Sequence, residues 1–344
     1  MGKIITLQHA VVCENSDFNL KERSFNGGVI EKNGDVCELS LHYKPSFTNI
    51  PSTNVMPVEN LRGRWVFGGM LQNGHFGHFI TESITRLWAT NYISNVNGIV
   101  FYNRYCGQNN KSFIFDFLKL IIPNLQIKII DKSCTVEELI VPEQLHCGNG
   151  FVNGCSENRM LFNVPTPLPK LTTSKKVYIS RKNLSSTEGN IIGNEYISEL
   201  LEKEGYLMIY PEQLSIEEQI NIYTHAEKLV FDQGSAFHMY NLFSRKNQDV
   251  YVIWRRKKII NGYVSQYRSF AEKELNKKSH IINQYAPINH TENTAKYFGF
   301  PDFKNLYAEL YELNFIKEIP NEIFISQDKL LDNLSQRIGQ ISTV

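Results

Sequence analysis

Apolar residues at Ile197, Leu200 and Leu201 give the segment from Glu195 to Glu204 one hydrophobic face, and Gly205 stops it. That spacing predicts a helix. On either side stand short runs rich in β-branched and aromatic residues, Lys176–Ser180 and Tyr206–Tyr210, which read as strands. The alternation continues downstream. Ser215-Ile216-Glu217-Glu218 is a capping box opening a helix with Ile216, Ile220 and Tyr223 on one face. Lys228–Phe231 reads as a strand, Gly234 to Phe243 as a turn into a helix, and Asp249–Trp254 as a further strand. Strands alternating with helices predict a parallel, helix-covered sheet, a Rossmann-like half.

The upstream part has a similar texture. Trp65–Phe67 reads as a strand broken by Gly68-Gly69 and Asn73-Gly74, and a helical pattern runs from Phe76 to Tyr92. Ile99–Tyr102, Gln126–Ile130 and Glu138–Val141 read as strands, with an apolar helix at Lys111–Ile122 closed by Pro123. Turn signals at Asn26-Gly27-Gly28 and Asn33-Gly34 and short alternating runs such as Asp35–Leu41 predict an antiparallel β element in residues 1–60. Asn163–Ser174, with three prolines and no periodicity, reads as a linker. The tail carries two amphipathic patterns, Leu306/Leu310/Leu313 and Leu330/Leu334/Ile338. The expected organisation is an N-terminal α/β domain over 1–165, a second over 166–290, and a helical tail over 291–344 packing back on the first.

Composition narrows the function classes. The 344 residues carry 36 Lys plus Arg against 35 Asp plus Glu, a formal net charge of +1. This leaves no basic excess for nucleic-acid binding. With 42% hydrophobic residues the chain does not have the makeup of a disordered one. No apolar run reaches the roughly 18 residues of a membrane span, and the start lacks a signal-peptide pattern. The six cysteines show no C-x-x-C spacing. The expectation is a soluble cytoplasmic protein.

Three constellations could carry chemistry. On a regular helix His78, Glu82 and Arg86, spaced by four, form one polar stripe, with His75 just before it. A His and a Glu within reach of each other suit general-base catalysis; the same spacing suits a solvated, salt-bridged face. Zincin spacing is absent, so no metal is expected at His75, His78 and Glu82. Second, the strand Lys176–Ser180 runs into Arg181 and Lys182, where ligands of open α/β sheets sit and where a guanidinium can clamp a diphosphate. An exposed basic turn is the plainer alternative. Third, Phe231-Asp232-Gln233-Gly234-Ser235-Ala236-Phe237-His238 takes a strand through a small-residue turn into a helix, a ready anion site or simply a packing turn. Glu212, in Tyr210-Pro211-Glu212-Gln213, lies at the corresponding end of the preceding strand. The phosphate loop G-x-x-x-x-G-K-[ST], the G-x-G-x-x-G fingerprint and any Asp-x-Asp pair are absent, which favours metal-free phosphate binding over ATP or NAD chemistry.

Taken in order, Asn73-Gly74-His75-Phe76-Gly77-His78-Phe79-Ile80-Thr81-Glu82, Ile179-Ser180-Arg181, Asn194-Glu195, Tyr210-Pro211-Glu212-Gln213-Leu214-Ser215 and Gly234-Ser235-Ala236 resemble the motifs of glycosyltransferase family 61, in its bacterial capsular-polysaccharide branch. The resemblance spans roughly residues 65 to 255. Relatives often carry a His before the glycine turn; here Gln233 stands there, and His238 follows the turn. The resemblance implies an inverting transferase of GT-B architecture, two Rossmann-like domains facing a cleft, and the missing Asp-x-Asp makes a metal-independent one the expectation. Arg181, Lys182, Glu212, Gln233, Gly234, Ser235, Ala236 and His238 would bind a nucleotide-sugar, expected to be UDP-linked. Glu82 or His78 would be the base, with His75 and Arg86 on the acceptor side. The expected acceptor is a capsule or lipopolysaccharide glycan or glycolipid, reached in the cytoplasm or at the inner face of the membrane. No cofactor is expected, the nucleotide-sugar being a substrate. The rival readings are a phosphotransferase acting on cell-surface polymers and a non-enzymatic glycan-binding protein on a transferase fold.

Overall fold

A computed structural model describes residues 1–163, 174–184, 188–286 and 296–320. The chain divides into two compact units. The first is Met1–Pro167 with Asn241–Phe243 and Ser265–Glu272; the second is Leu168–Tyr240, Ser244–Val264 and Lys273–Val344. Most of the proline-rich stretch expected to be a linker and the Leu330/Leu334/Ile338 pattern lie outside the described residues.

The first unit opens with β1 (Ile4–Cys13), the short β2 (Phe18–Asn19) and β3 (Ser24–Phe25), β4 (Gly28–Ile30) and β5 (Thr48–Asn49). Then come β6 (Glu59–Leu71), the single turn α1 (Phe76–His78), β7 (Gly98–Asn103), α2 (Ser112–Ile121), β8 (Gln126–Ile130), β9 (Cys134–Pro142) and α3 (Ser156–Phe162). Its six-stranded sheet has the order β4-β1-β9-β6-β7-β8. β9, β6, β7 and β8 run parallel, while β1 pairs antiparallel with both β9 and β4. The N-terminal β element is thus an antiparallel extension of a parallel sheet, with β2, β3 and β5 forming a small sheet of their own. Val100, Tyr102, Phe67, Met70, Val136 and Leu139 are among the buried residues that close the core of this unit.

Two expectations need correction here. Gly68-Gly69 does not break the strand at Trp65; β6 runs on to Leu71 through a bulge at these glycines. Gly69 has φ +87°, and a Cβ on Gly68 would stand 2.3 Å from the Phe101 ring, so the pair admits a bulge and a close neighbour that other residues would block. The segment Phe76–Tyr92 is not one regular helix. α1 passes into a π turn at Phe79–Ser83 and then a 3₁₀ turn at Leu87–Asn91. The wider π turn rotates the residues after it, so Arg86 leaves the stripe of His78 and Glu82.

The second unit contains β10 (Lys176–Ile179), α4 (Asn194–Lys203), β11 (Leu207–Ile209), α5 (Ile216–His225), β12 (Lys228–Asp232), α6 (Ser235–Phe243), β13 (Asp249–Ile253), α7 (Asn261–Ala271), the antiparallel pair β14 (Ile281–Tyr285) and β15 (Phe298–Pro301), and α8 (Phe303–Glu312). By the division above, the last residues of α6 and most of α7 are counted with the first unit. All four strands of the sheet β11-β10-β12-β13 are parallel. The Ser215–Glu218 capping box is formed in both directions, and Gly205 follows α4 at φ +84°. Phe303, Leu306, Tyr307 and Leu310 of α8 pack with Tyr178, Val230 and Tyr251. Leu306 and Leu310 of the first tail pattern therefore join the core of the second unit, where packing on the first had been expected, while Leu313 is exposed. No helix among the described residues is long and apolar enough to cross a membrane.

Candidate active site

In the first unit, Glu82 is 3% exposed and sits in the π turn. Lys44 Nζ donates to both its oxygens, at 2.6 and 2.7 Å, and Gln72 Nε2 donates to Oε2 at 2.6 Å. His78 Nδ1 lies 2.7 Å from Oε1. His42 Nε2 stands 3.9 Å from Oε2, fully enclosed. Burial alone would raise the Glu82 pKa, but the nearby His42 ring, the hydrogen bond from His78 and the Lys44 charge outweigh it and hold the carboxyl well below its usual range. An ionised carboxylate only accepts, so the His78 Nδ1 carries the proton and Nε2 is the ring nitrogen that Glu82 leaves free to exchange one. The His78 side chain is 41% exposed, and its backbone N–H donates to His75 Nδ1 at 3.4 Å. A partly exposed imidazole, oriented through its other nitrogen by a buried carboxylate, is built to take up a proton at Nε2.

Arg86 is not at this surface. It is 1% exposed, lies over the Phe67 ring, and holds the carbonyls of Leu39, Leu41 and Pro142. It ties the loop after β4 to the end of β9, so the acceptor-side role expected of it does not fit its burial. His75 remains exposed beside His78, their ring centroids 4.9 Å apart.

In the second unit the carboxyl ends of three parallel strands carry Ser180-Arg181, Asp232-Gln233-Gly234 and Trp254-Arg255-Arg256. Asp232 is buried and accepts from Tyr178 Oη at 2.7 Å, Ser180 Oγ at 3.3 Å, the Arg181 N–H at 2.8 Å and Asn194 Nδ2 at 2.8 Å. Burial raises its pKa despite those four donors. Its role is to fix the strand end from which Arg181 projects. Arg181 Nη2 donates to Glu188 O at 2.8 Å, while its buried Nε has no partner among the described residues. A Cβ on Gly234 would stand 2.6 Å from Arg181 Nη1, so the guanidinium lies directly against the turn that opens α6.

Arg255 and Arg256, which sequence reasoning missed, join this edge. Arg255 is 5% exposed and donates from Nε to Gln233 O at 3.1 Å. Burial and the neighbouring charges of Arg181 and Arg256 push its pKa down to about 9. Burial also lowers Arg256, with Arg181 adding to it. The signal was available: two arginines directly follow the strand at Asp249–Trp254, at the edge where Arg181 and Gly234 already pointed. Gln233 is buried, its Oε1 accepting from the Arg255 N–H at 3.2 Å and its Nε2 unpartnered among the described residues. His238 is buried with its ring 4.1 Å from that of Tyr263. Ser235 and Ala236 are half-buried at the start of α6. Lys182 and Glu212 are exposed; Glu212 acts on Arg181 through its charge. Arg181 against the glycine turn, with Arg255 on the adjoining Gln233 carbonyl and Arg256 close enough to Arg181 to repel it, gives this edge positive charge suited to a diphosphate. Among the described residues no group of three or more His, Cys, Asp or Glu is arranged to hold a metal ion.

The glycosyltransferase 61 family model matches residues 76–251, a span holding both His78 with Glu82 and Arg181 with Gly234. No curated protein matches the chain.

Proposed function

The chain belongs to glycosyltransferase family 61 and so to the enzymes of sugar transfer; on that premise we propose an inverting, metal-independent enzyme of GT-B architecture that uses a nucleoside-diphosphate sugar, UDP-linked in the first instance. The proposed acceptor is a capsule or lipopolysaccharide glycan, and a nucleotide-sugar donor goes with a cytoplasmic reaction.

The observation that carries this reading is the Arg181 guanidinium lying against Gly234, with Arg255 bonded to the carbonyl of the neighbouring Gln233 and Arg256 within electrostatic reach of Arg181. Departure of a nucleoside diphosphate builds negative charge, and fixed guanidinium groups and turn amides supply the charge that a bound divalent ion otherwise provides. His78 is the proposed base. Its Nε2 takes the acceptor hydroxyl proton as that oxygen attacks the anomeric carbon, and Glu82 holds the ring through Nδ1 and stabilises the imidazolium that forms. Glu82 itself is the weaker candidate, because Lys44, Gln72 and His78 already occupy its oxygens.

A melting assay against a panel of nucleoside diphosphates tests the donor site. Ligand at 100 times its dissociation constant adds about 2.7 kcal/mol of stability. A shift with uridine diphosphate that Arg181→Ala abolishes is the expected result; no shift with any nucleotide would leave the glycan-binding alternative in front.

A further inference from the structure

Arg104 directly follows β7 and is 9% exposed. Its guanidinium lies 4.1 Å from the Phe18 ring centroid and 4.8 Å from that of Tyr105. Among the described residues its side chain makes one hydrogen bond, from Nη1 to the uncharged Gln72 Oε1 at 2.6 Å, and its Nε is buried with no partner. Gln72 spends its other end on Glu82 Oε2. Glu82 is in turn occupied by Lys44 and His78. Two enclosed cations, Lys44 and Arg104, therefore share one carboxylate, and a guanidinium does not give up its proton to escape burial. At the same strand ends two buried acceptors lack donors, Asn73 Oδ1 and Asn103 Oδ1. Their amides cannot be turned over: Asn73 Nδ2 donates to the carbonyls of Tyr105 and Gln108, and Asn103 Nδ2 to Asp131 Oδ1.

A fork of donors with no carboxylate of its own, at strand ends that also carry two acceptors without donors, matches an acidic sugar. We propose that the first unit holds an oxyanion subsite at Arg104, beside the His78–Glu82 pair, which selects acceptors bearing a carboxylate or a phosphate. The proposal rests on the reading of His78 as the group that activates the acceptor. Gln72 is the link between the two, with one end on Arg104 and the other on Glu82.

The test is binding without turnover. The full chain carrying Arg181→Ala, which weakens the anion site of the second unit, is titrated by calorimetry with sodium glucuronate, glucose 1-phosphate and glucose. Saturable binding of at least one anionic sugar, ten-fold or more tighter than glucose, is expected, and Arg104→Gln should remove that preference. The tighter of the two anions identifies the source as a uronic acid or a sugar phosphate. Glucose binding as well as both anions, no saturable anion binding, or an unchanged anion affinity in Arg104→Gln overturns the subsite. Should Arg104→Gln not fold, Arg104→Lys keeps the charge but not the fork. It should then bind the preferred anion more weakly than the parent, and equal affinity would overturn the assignment. Because no transfer is measured, this titration can fail while Arg181-dependent nucleotide binding stands. A failure of His78 as base leaves the titration itself unchanged.

Discussion

Glu82 Oε1 receives His78 Nδ1 at 2.7 Å and Lys44 Nζ at 2.6 Å, so one oxygen both orients the imidazole and neutralises a buried ammonium. The acid sensitivity of the fold follows. The folded-state pKa of Glu82 lies below its unfolded value, about 4.3, so its stabilising contribution is fully present above that value. It is lost as pH falls through the depressed folded value. Glu82→Gln removes the charge and leaves Lys44 enclosed, at a cost of about 3–5 kcal/mol at neutral pH. Melting curves from pH 7 down to pH 3 should show the wild type losing stability faster than Glu82→Gln, and parallel curves would contradict this.

Arg181→Ala should weaken nucleoside-diphosphate binding by about 1.5–3 kcal/mol, since a charge-assisted contact is lost. Arg181→Lys should recover part of it, because a point charge cannot reproduce the fork. Calorimetry with unchanged affinity in Arg181→Ala would remove the residue from the site.

Gly234→Ala tests the same site from the turn. The added methyl meets the far end of the Arg181 side chain at 2.6 Å, and that end can move. The expected result is a protein that folds with a small stability change but binds nucleotide at least ten-fold more weakly. A large loss of melting temperature with unchanged affinity would make the glycine purely structural.

The second unit was the more legible half. Its helices carry clear apolar faces and a capping box, and its strands stand next to them in sequence, so local spacing determines most of the sheet. The first unit hid more. Period-four reasoning put Arg86 beside Glu82, but a π turn over Phe79–Ser83, its Ser83 Oγ accepting from the Gln72 N–H, intervenes, and Arg86 lies in the core. Lys44 and Arg104 reach Glu82 from 38 and 22 positions away, Arg104 through Gln72, and no spacing rule links them. The Tyr178–Asp232–Asn194 network behind Arg181 is equally non-local. What the chain order did show was that the strand ends before α4 and α6 carry Arg181 and Gly234, while Arg255 and Arg256 at the end of β13 were passed over.

Turnover should survive EDTA, because the arginine cluster supplies positive charge at the leaving group. Activity abolished by EDTA and restored by magnesium or manganese would put a phosphotransferase, or a metal-dependent transferase, ahead of this mechanism.

The most direct test of His78 as the base is the rate of nucleoside-diphosphate release from the donor in His78→Ala and Glu82→Gln, with donor affinity measured in parallel. His78→Ala should lose about 10²–10⁴ in kcat, the usual worth of general-base catalysis, with donor affinity unchanged. Glu82→Gln should be milder, with a shifted pH profile. Near-normal kcat in His78→Ala, or a larger loss in Glu82→Gln than in His78→Ala, would contradict the assignment.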